Sequence, residues 1–435
     1  MTIRSTFAGR AWLVWGIGMF GYIVAVLNRT AFGVSGVHAA ERFGVTAGVL
    51  STFVVVQVVV YSGAQIPAGV LLDRYGPRIM IATGGTVMAG GQALLAVTDQ
   101  VGLALTARVL VGLGDALTFI AVISLVPRWF SPCRVPVVTQ LTGIGGQLGQ
   151  VLSAVPFLAL LEAQGWTTAY LSATGVGALT VVLTVLCVRD RPPGPENAPP
   201  KTTANNRRVA APVREVWSRP GTRLAFFTHM GTQFSMNGFS LMWGLPYLIL
   251  GQNLSPHMAG TLMSLSVVVM VVSAPVVGIA TSRYPHRRLQ MAVSYIALLV
   301  GTWATVLALP TTAPLWALVI LMAVIGLGGP AAVIALDMAR TSNPPATSGT
   351  AQAITNLGGY IGSLVLLQGM GIAINAAGGY SFGSFRVAWS LQAVLWAVAM
   401  IGIALCSKVV QRQDREKLAA STDAGKPALD TTNTS

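Results

Sequence analysis

The sequence predicts an all-α polytopic membrane protein with twelve transmembrane helices, arranged as two related six-helix bundles. Composition, the spacing of apolar segments and internal repetition lead to this prediction. The chain has 435 residues, of which 53% are hydrophobic and 9% are charged, and its mean hydropathy is +0.68. So few polar side chains cannot cover a surface that faces water. The composition therefore indicates a membrane protein.

Apolar segments that are long enough to cross a bilayer occur twelve times along the chain. A helix needs about 20 mainly apolar residues to cross a hydrocarbon layer of roughly 30 Å. Short turns that contain polar residues, Gly or Pro separate the segments. We place their centres near Phe20, Val59, Ala89, Leu113, Gly149, Leu179, Ser235, Met270, Leu299, Ala323, Gly362 and Ala397.

A polar stretch divides these segments into two sets of six. Residues 189–220 begin with RDRPPGPENAPPKTTANNRR and are too polar and too rich in Pro to pack or to span, so we expect a cytoplasmic linker. The N-terminal bundle then comprises residues 1–188 and the C-terminal bundle residues 221–407. Residues 408–435 form a cytoplasmic tail, in which a few charged helical turns precede a segment of small polar residues that we expect to be disordered.

The formal charge of +14 reflects the membrane topology. If the N-terminus is cytoplasmic, nearly all basic residues fall in the predicted inside segments, and the outside loops contain only Arg42 and Arg386. This positive-inside distribution predicts that both termini are cytoplasmic. The charge therefore does not indicate a nucleic-acid partner. We expect a monomeric, multi-pass protein of the plasma or inner membrane whose partners are the lipid bilayer and a small-molecule substrate.

Three glycine-containing motifs recur in corresponding segments of the two halves. Single matches arise by chance in a chain with 48 glycines, but three matches at nearly one offset indicate two structurally related halves. The pairs are Gly69 with Gly278 at an offset of 209 residues, Gly112 with Gly326 at 214, and Gly145 with Gly358 at 213.

The loop between the second and third segments carries the most specific motif. It resembles the G-x-x-x-D-R-x-G-R-R signature of the major facilitator superfamily through five positions, Gly69, Asp73, Arg74, Gly76 and Arg78, with Pro77 in place of a basic residue. In that family the loop is a cytoplasmic latch, whose Asp meets the N-terminal end of a neighbouring helix and whose Arg residues pair across the bundle. The resemblance implies that the five residues bias the inward/outward equilibrium. A plain positively charged turn would need neither the Asp nor the glycines.

Two further segments resemble the same family. Arg108 begins an R-x-x-x-G-x-G-D-A pattern in the fourth segment, and Pro127 begins PRWFSPCR, which is similar to the family's loop between helices four and five. The resemblance covers the whole chain and implies a carrier that works by alternating access and is not an enzyme. The fifth segment lacks the Gly-Pro-x-x-Gly-Gly ending typical of drug/proton antiporters, which argues against a drug exporter.

Three charged residues are predicted inside the bilayer. A charge at the centre of a span costs about 2.5 to 3.5 kcal/mol on insertion scales, so Arg29, Arg108 and Asp115 are functional candidates. Arg108 and Asp115 are seven residues apart, or two helical turns, and share a helix face that we expect to line the central cavity. Together with Asn28-Arg29 they resemble the anion/cation symporter branch of the superfamily, which often has an acid where this chain has Asn28. The resemblance implies that Arg29 or Arg108 binds an anionic group, with Asn28 beside it, and that Asp115 is the protonation site.

Two structural roles stay open for these residues. Arg108 and Asp115 could form a static ion pair that holds helices together, and Arg29 could extend to the lipid headgroups. In the functional interpretation, burial disfavours a charged carboxylate and a nearby Arg favours it. Movement of an Arg between states could then load and release a proton at Asp115.

Uncharged polar side chains recur at helical spacing on four segments. Such groups face either a wet cavity or another helix. The four sets are Gln57, Tyr61 and Gln65; Gln140, Gln147 and Gln150; His229, Gln233 and Asn237; and Gln352, Asn356 and Tyr360. In the resembled family these segments line the cavity. We therefore expect substrate contacts from Gln57, Tyr61, Gln147, Gln233, Asn237 and Asn356.

Two transport functions follow from these observations. The first is proton-coupled symport of a small organic or inorganic anion, and the second is proton-driven export of drugs or metabolites. A receptor or an enzyme would need a signalling domain or a catalytic constellation, and the sequence contains neither. It also lacks a phosphate-binding glycine loop and a histidine pair for a metal. We expect no cofactor or metal, and the proton gradient as the energy source.

Overall fold

The structure is a computed structural model that describes residues 2–45, 47–192 and 213–424. These residues form helices joined by short turns, without a β-strand in the described ranges. Ten described segments are helical, long and apolar enough to cross a membrane.

The N-terminal half contains seven described helices. They are α1 (Thr2–Val34), α2 (Gly36–Phe43), α3 (Ala47–Tyr75), α4 (Pro77–Val97), α5 (Val101–Trp129), α6 (Val135–Leu152) and α7 (Leu158–Cys187). A π-helical turn, Ser153–Phe157, joins α6 to α7. Helix α7 is kinked at Gly165, where φ is 78°. Glycine adopts this backbone conformation without steric cost. The next side chain, Trp166, donates a 2.9 Å hydrogen bond from Nε1 to the carbonyl oxygen of Leu95, which holds the kink against the end of α4.

The C-terminal half contains ten described helices. They are α8 (Val213–Ser218), α9 (Pro220–Gly238), α10 (Gly244–Pro246), α11 (Pro256–Arg283), α12 (Arg288–Ala308), α13 (Leu315–Gly326), α14 (Gly328–Thr341), α15 (Ser348–Ala376), α16 (Phe382–Ser390) and α17 (Gln392–Ala424). Two π-helical turns, Phe239–Trp243 and Tyr247–Gly251, flank α10 and continue the path of α9.

The difference between ten candidate spans and the predicted twelve arises at two places. Residues Val135–Cys187 count as one span of 53 residues, although the kink at Gly165 lies within it. The helical path from Pro220 to Gly251 is not among the ten described spans, and it contains the polar residues His229, Gln233 and Asn237. The count of twelve stays a prediction.

Two features modify the predicted domain boundaries. The last part of the predicted linker forms α8, and its Val216 is completely buried in a cluster with Ala225 and Ile354. This part of the linker therefore packs, contrary to our expectation from its polarity, while residues 193–212 lie outside the described residues. Helix α17 extends to Ala424, so the first part of the predicted tail is helical, as its charged residues suggested. Residues 425–435 are also outside the described residues.

The two halves contact each other mainly at one end of the molecule. Here the C-terminal part of α3 lies against the first turns of α15, and the first turns of α6 lie against the end of α11. Gly69 and Gly278 permit these approaches, because an added Cβ would lie 2.5 Å from Ala353 Cβ and 2.8 Å from Val137 Cα respectively. The two glycines are the first pair of the sequence repeat. We call this end of the molecule, where Asp73 approaches Gly349, the latch end.

Candidate binding cavity

A cavity of about 570 Å³ lies between the two halves. Helices of both halves contribute its walls, as the polar stripes predict. Seven of the predicted substrate contacts line it, namely Arg29, Gln57, Tyr61, Gln147, Gln233, Asn237 and Asn356. Three other predicted site residues, Asn28, Arg108 and Asp115, are fully buried and are not among its described lining residues.

Arg29 joins the cavity to the buried interior of the N-terminal half. Its Nη1 lies 3.1 Å from Oδ2 of Asp115, and the side chains are 24% and 0% exposed respectively. The Arg29 guanidinium carbon also lies 6.0 Å from the centre of the Tyr61 ring. Arg29 therefore points inward and does not extend to the headgroups. A molecule in the cavity meets Arg29 first, and Asp115 lies behind it.

Arg108 is a buried supporting group in this conformation. Its Nη2 donates a 3.1 Å hydrogen bond to the carbonyl oxygen of Arg29 and another to Oε1 of Gln57, and its guanidinium carbon lies 4.8 Å from the Phe32 ring centre. Within the described part of the chain, Nε and Nη1 have no hydrogen-bond partner. One expectation is corrected here, and one of the open alternatives does not hold in this conformation. The shared face of Arg108 and Asp115 does not line the cavity, and Asp115 pairs with Arg29 instead of forming the static pair with Arg108.

Asn28 points away from the cavity. Its Oδ1 accepts a 3.0 Å hydrogen bond from Nε2 of Gln92, and its Nδ2 lies 3.8 Å from the sulfur of Met88. Both partners are on α4, because consecutive residues of α1 differ in direction by about 100°. The prediction that Asn28 contacts substrate beside Arg29 is therefore wrong for this conformation.

The amide groups of the cavity fall into two classes. Asn237 Nδ2 donates to Oγ of Ser363 at 3.0 Å, and Asn356 Nδ2 donates to Oε1 of Gln65 in the other half at 2.9 Å. By contrast, the side chains of Gln147 and Gln233 make no hydrogen bond to another described residue, although both line the cavity. Their donors and acceptors are available to a bound molecule.

Several lining residues were missed by the sequence interpretation. Tyr22 lies seven residues before Arg29, so the two-turn spacing used for Arg108 and Asp115 could have found it. The Tyr22 and Phe119 ring centres are 5.0 Å apart, next to the polar part of the cavity. Apolar residues such as Met263 and Met270 also line the opposite wall. They carry no sequence signal, because an apolar residue in a membrane helix is equally compatible with contact to lipid.

The predicted latch loop crosses from one half to the other through Asp73. Its carboxylate accepts 2.8 Å hydrogen bonds from the backbone N–H groups of Gly349 and Thr350 and a 2.6 Å hydrogen bond from the Thr350 hydroxyl. These groups form the first turn of α15, where unpaired N–H groups and the helix dipole favour an anion.

The other predicted latch residues shape the loop within the N-terminal half. Gly76 has φ 82° and approaches Asp190, whose Oδ1 accepts a 2.8 Å hydrogen bond from the backbone N–H of Arg78. Arg74 lies over the ring of Tyr75, with its guanidinium carbon 5.2 Å from the ring centre. Neither arginine makes the expected pair across the bundle in the contacts that the structure describes.

Sequence comparison identifies the family. The family model described as Major Facilitator Superfamily matches residues 18–248 and 225–433. Three relatives are similar to parts of the chain. The MFS-type transporter eupM of Phoma sp is 29% identical over a region that covers 29% of this chain and 45% of eupM. The oxalate:formate antiporter of Oxalobacter formigenes is 24% identical over 34% of this chain and 35% of its own length, and the probable L-galactonate transporter of Escherichia coli (strain K12) is 23% identical over 38% of this chain and 36% of its own length. The chain therefore spans less than half the length of these relatives.

Structural comparison extends over nearly the whole chain. The structure of the transporter FucP in the outward conformation matches with a TM-score of 0.66 and 15% identity, over 91% of this chain and 99% of FucP. The proton:xylose symporter XylE matches with a TM-score of 0.65 and 12% identity, over 93% and 96%. Both matches show a common fold. This family and fold are those of transporters, which are not enzymes, and the chain belongs to the Major Facilitator Superfamily.

Proposed function

We propose that this transporter couples the movement of a small anion to the movement of a proton in the same direction. The observation that carries the proposal is the pairing of Arg29 with Asp115 at the wall of the cavity, where Arg29 is partly exposed and Asp115 is not. An anion in the cavity competes with Asp115 for the same guanidinium. The two negative groups are therefore alternative partners of one cation.

This competition provides a mechanism for coupling. When an anion binds Arg29, the guanidinium is shared or drawn away from Asp115, which is then a buried carboxylate with a weakened counter-ion. Such a group is costly to keep ionised and takes up a proton. When the anion leaves, Arg29 pairs again with Asp115 and the proton is released. Anion and proton thus bind together, and for a monovalent anion the loaded site gains no net charge.

The conformational part of the proposal follows the superfamily's alternating access. We propose twelve spans in two six-helix bundles, with both termini in the cytoplasm and the latch end on the cytoplasmic side of the cell membrane. The contacts at the latch end then close the cytoplasmic side, which supports an outward-facing state. The hydrogen bonds of Asp73 to α15, together with the loop geometry of Gly69, Arg74, Gly76 and Arg78, would stabilise that state and break during the transition.

The names of the relatives support an anionic substrate and proton coupling. Oxalate, formate and L-galactonate are anions, and XylE is described as a proton symporter. No metal or organic cofactor enters the proposed mechanism, because the proton gradient supplies the energy.

The test uses purified protein in liposomes with an imposed pH gradient and a panel of radiolabelled organic and inorganic anions. We expect an acidic exterior to drive anion accumulation, and Asp115→Asn to abolish accumulation while exchange of labelled for unlabelled anion persists. Asp99→Asn is the matched control, because Asp99 is an exposed carboxylate paired with Arg42 away from the cavity. Accumulation that survives Asp115→Asn would exclude the proposed coupling. Outward pumping of neutral or cationic compounds would instead support the alternative, a proton-driven drug or metabolite exporter.

A further inference from the structure

The cavity offers one positive charge to a bound molecule. Among its described lining residues, Arg29 is the only one with a permanently charged side chain. Arg108 adds a second cation behind the wall, and Asp115 is the single carboxylate beside them. Before a ligand binds, two cations and one carboxylate leave one uncompensated positive charge. All of it belongs to the N-terminal half.

The described residues of the C-terminal half that line the cavity form an uncharged wall. Its polar groups in the cavity are amides, hydroxyls and the ring of His229, and Gln233 is the amide with no hydrogen-bond partner among the described residues. The remainder of this wall is largely apolar and includes Met236, Met263 and Met270. Methionine side chains adapt to irregular apolar ligands. A second anionic group on the ligand would find no cation here.

Aromatic rings surround the charged end of the cavity. The centres of the Tyr61 and Tyr360 rings are 4.9 Å apart, and those of Tyr22 and Phe119 are 5.0 Å apart. All four residues line the cavity. Rings next to a guanidinium provide a flat apolar surface beside an anion-binding group. This arrangement suits a carboxylate attached directly to a planar or branched apolar body.

We propose that the substrate is an organic monocarboxylate with an uncharged, mainly apolar body. Its carboxylate binds Arg29 in the N-terminal half, and its body lies between the four rings and the methionine wall of the C-terminal half. The inference rests on the proposed function, which it deepens by fixing the charge, the orientation and the polarity of the substrate.

Each competing class of anion would bind less well for a specific reason. A dicarboxylate places its second charge in surroundings without a counter-ion. A polyhydroxy acid loses hydration against an apolar wall that cannot replace all of its hydrogen bonds. An inorganic monoanion such as nitrate fills a small part of a cavity of about 570 Å³ and leaves the apolar surfaces uncovered.

Binding measurements with four matched probes test the inference. We expect the purified transporter to bind benzoate at least about tenfold more tightly than terephthalate, which adds a second carboxylate, gluconate, which has a polyhydroxy body, or benzamide, which lacks the charge. The cost of burying one unpaired charge, or of desolvating one polyhydroxy body, is large enough to produce a tenfold preference. Equal or tighter binding of terephthalate or gluconate would overturn the inference. If such an anion still showed Asp115-dependent uptake in liposomes, the proposed function would survive. If no anion were taken up, the proposed function itself would fail.

A gain-of-function variant provides an independent test. Gln233→Arg adds a cation to the uncharged wall, and we expect it to raise the affinity for terephthalate relative to benzoate by about tenfold. Ser240→Arg adds a cation to the same wall at an exposed position and should act in the same direction if the first variant does not fold. Gln411→Arg, on the exposed end of α17, adds the same charge outside the cavity and should leave the ratio unchanged. An unchanged ratio in both folded cavity variants would refute the proposed orientation.

Discussion

The carboxylate of Asp73 caps the first turn of the helix that begins at Ser348, accepting a 2.8 Å hydrogen bond from the backbone N–H of Gly349 in the other half of the molecule. Thr350 adds two further hydrogen bonds to the same carboxylate. The N-terminal end of α15 thus supplies donors and a favourable dipole to one half-buried acid. This contact joins the two halves at the closed latch end.

Replacing Asp73 by Asn should open the latch end. The amide retains one acceptor but loses the charge and the second carboxylate oxygen, and hydrogen bonds to charged groups contribute about 1.5 to 3 kcal/mol. We therefore expect the open population to rise by about tenfold or more. Spin labels at Tyr75→Cys and Tyr284→Cys, both exposed at the latch end, would report the distance between the halves after the native cysteines are changed to Ser.

The matched control for this measurement is Asp190→Asn. Asp190 lies near the same loop, but its hydrogen bond is to the backbone of Arg78 within the N-terminal half. The control removes one negative charge without removing a contact between the halves. The same distance distribution in Asp73→Asn and the unmodified protein would show that this contact does not set the equilibrium.

Valine at Gly69 should prevent closure of the latch end. Its Cβ would lie 2.5 Å from Ala353 Cβ and 2.9 Å from the Gly349 carbonyl oxygen, and backbone and short side chains cannot yield at these distances. We expect long label distances at the latch end and transport reduced to a few per cent. Gly278→Val, at the repeat-related contact with α6, should have a similar effect.

Gly63→Val controls for the change in helix propensity. Gly63 lies on the same helix as Gly69, and an added Cβ there meets no atom within 4 Å. Both variants introduce the same β-branched residue into α3. Equal label distances in Gly63→Val and Gly69→Val would mean that the close approach at Gly69 is not required for closure.

The sequence was most informative where a residue has no other physical reason for its position. Gly69, Gly278 and Asp73 are unnecessary in a simple charged turn, and the structure places all three at contacts between the halves. Likewise, polar stripes inside apolar segments identified six expected substrate contacts that line the cavity. An isolated polar group in a membrane helix needs a partner or a wet surface, so its presence carries information.

The pairing of charges could not be deduced from helical spacing. A separation of seven residues places Arg108 and Asp115 on one face of α5, but it does not determine which neighbouring helix supplies the partner. Arg29 of α1 pairs with Asp115, whereas Gln57 of α3 accepts a hydrogen bond from Arg108. The direction of Asn28 likewise depends on the rotation of α1 about its axis. These relations arise from helix packing between segments distant in sequence.

Arg29 variants should separate the charge of the site from its geometry. Arg29→Gln removes the cation, so we expect benzoate affinity to fall by about a hundredfold or more, in line with the loss of a charge pair. Arg29→Lys retains the charge but loses the planar pair of donors, and a fall of about tenfold is expected. Isothermal titration of the purified variants measures both. Equal affinities in the two variants would argue against a role for the charge.

The same variants predict a change in pH dependence. Without Arg29, Asp115 is a buried carboxylate whose nearest counter-ion is gone, so it holds its proton over a wider pH range. Residual benzoate binding by Arg29→Gln should therefore vary less between pH 5 and pH 8 than binding by the unmodified protein. A pH profile parallel to that of the unmodified protein would place the titrating group elsewhere.

The hydrogen bond between Gln57 and Arg108 leads to a prediction about thermal stability, because Arg108 is a buried charge. Gln57→Leu leaves Arg108 Nη2 with the Arg29 carbonyl as its remaining partner, and leaving a buried group unsatisfied costs about 1 to 3 kcal/mol, or more for a charge. Replacing both partners by apolar side chains of similar size removes that cost. The double variant Gln57→Leu/Arg108→Met should therefore unfold at a higher temperature than Gln57→Leu alone, as measured by tryptophan fluorescence in detergent.

Gln65→Leu is the control, because it removes a neutral hydrogen bond to Asn356 and should lower the free energy of unfolding by only about 1 kcal/mol. If the double variant were less stable than Gln57→Leu, Arg108 would contribute more through favourable contacts than it costs through burial of its charge.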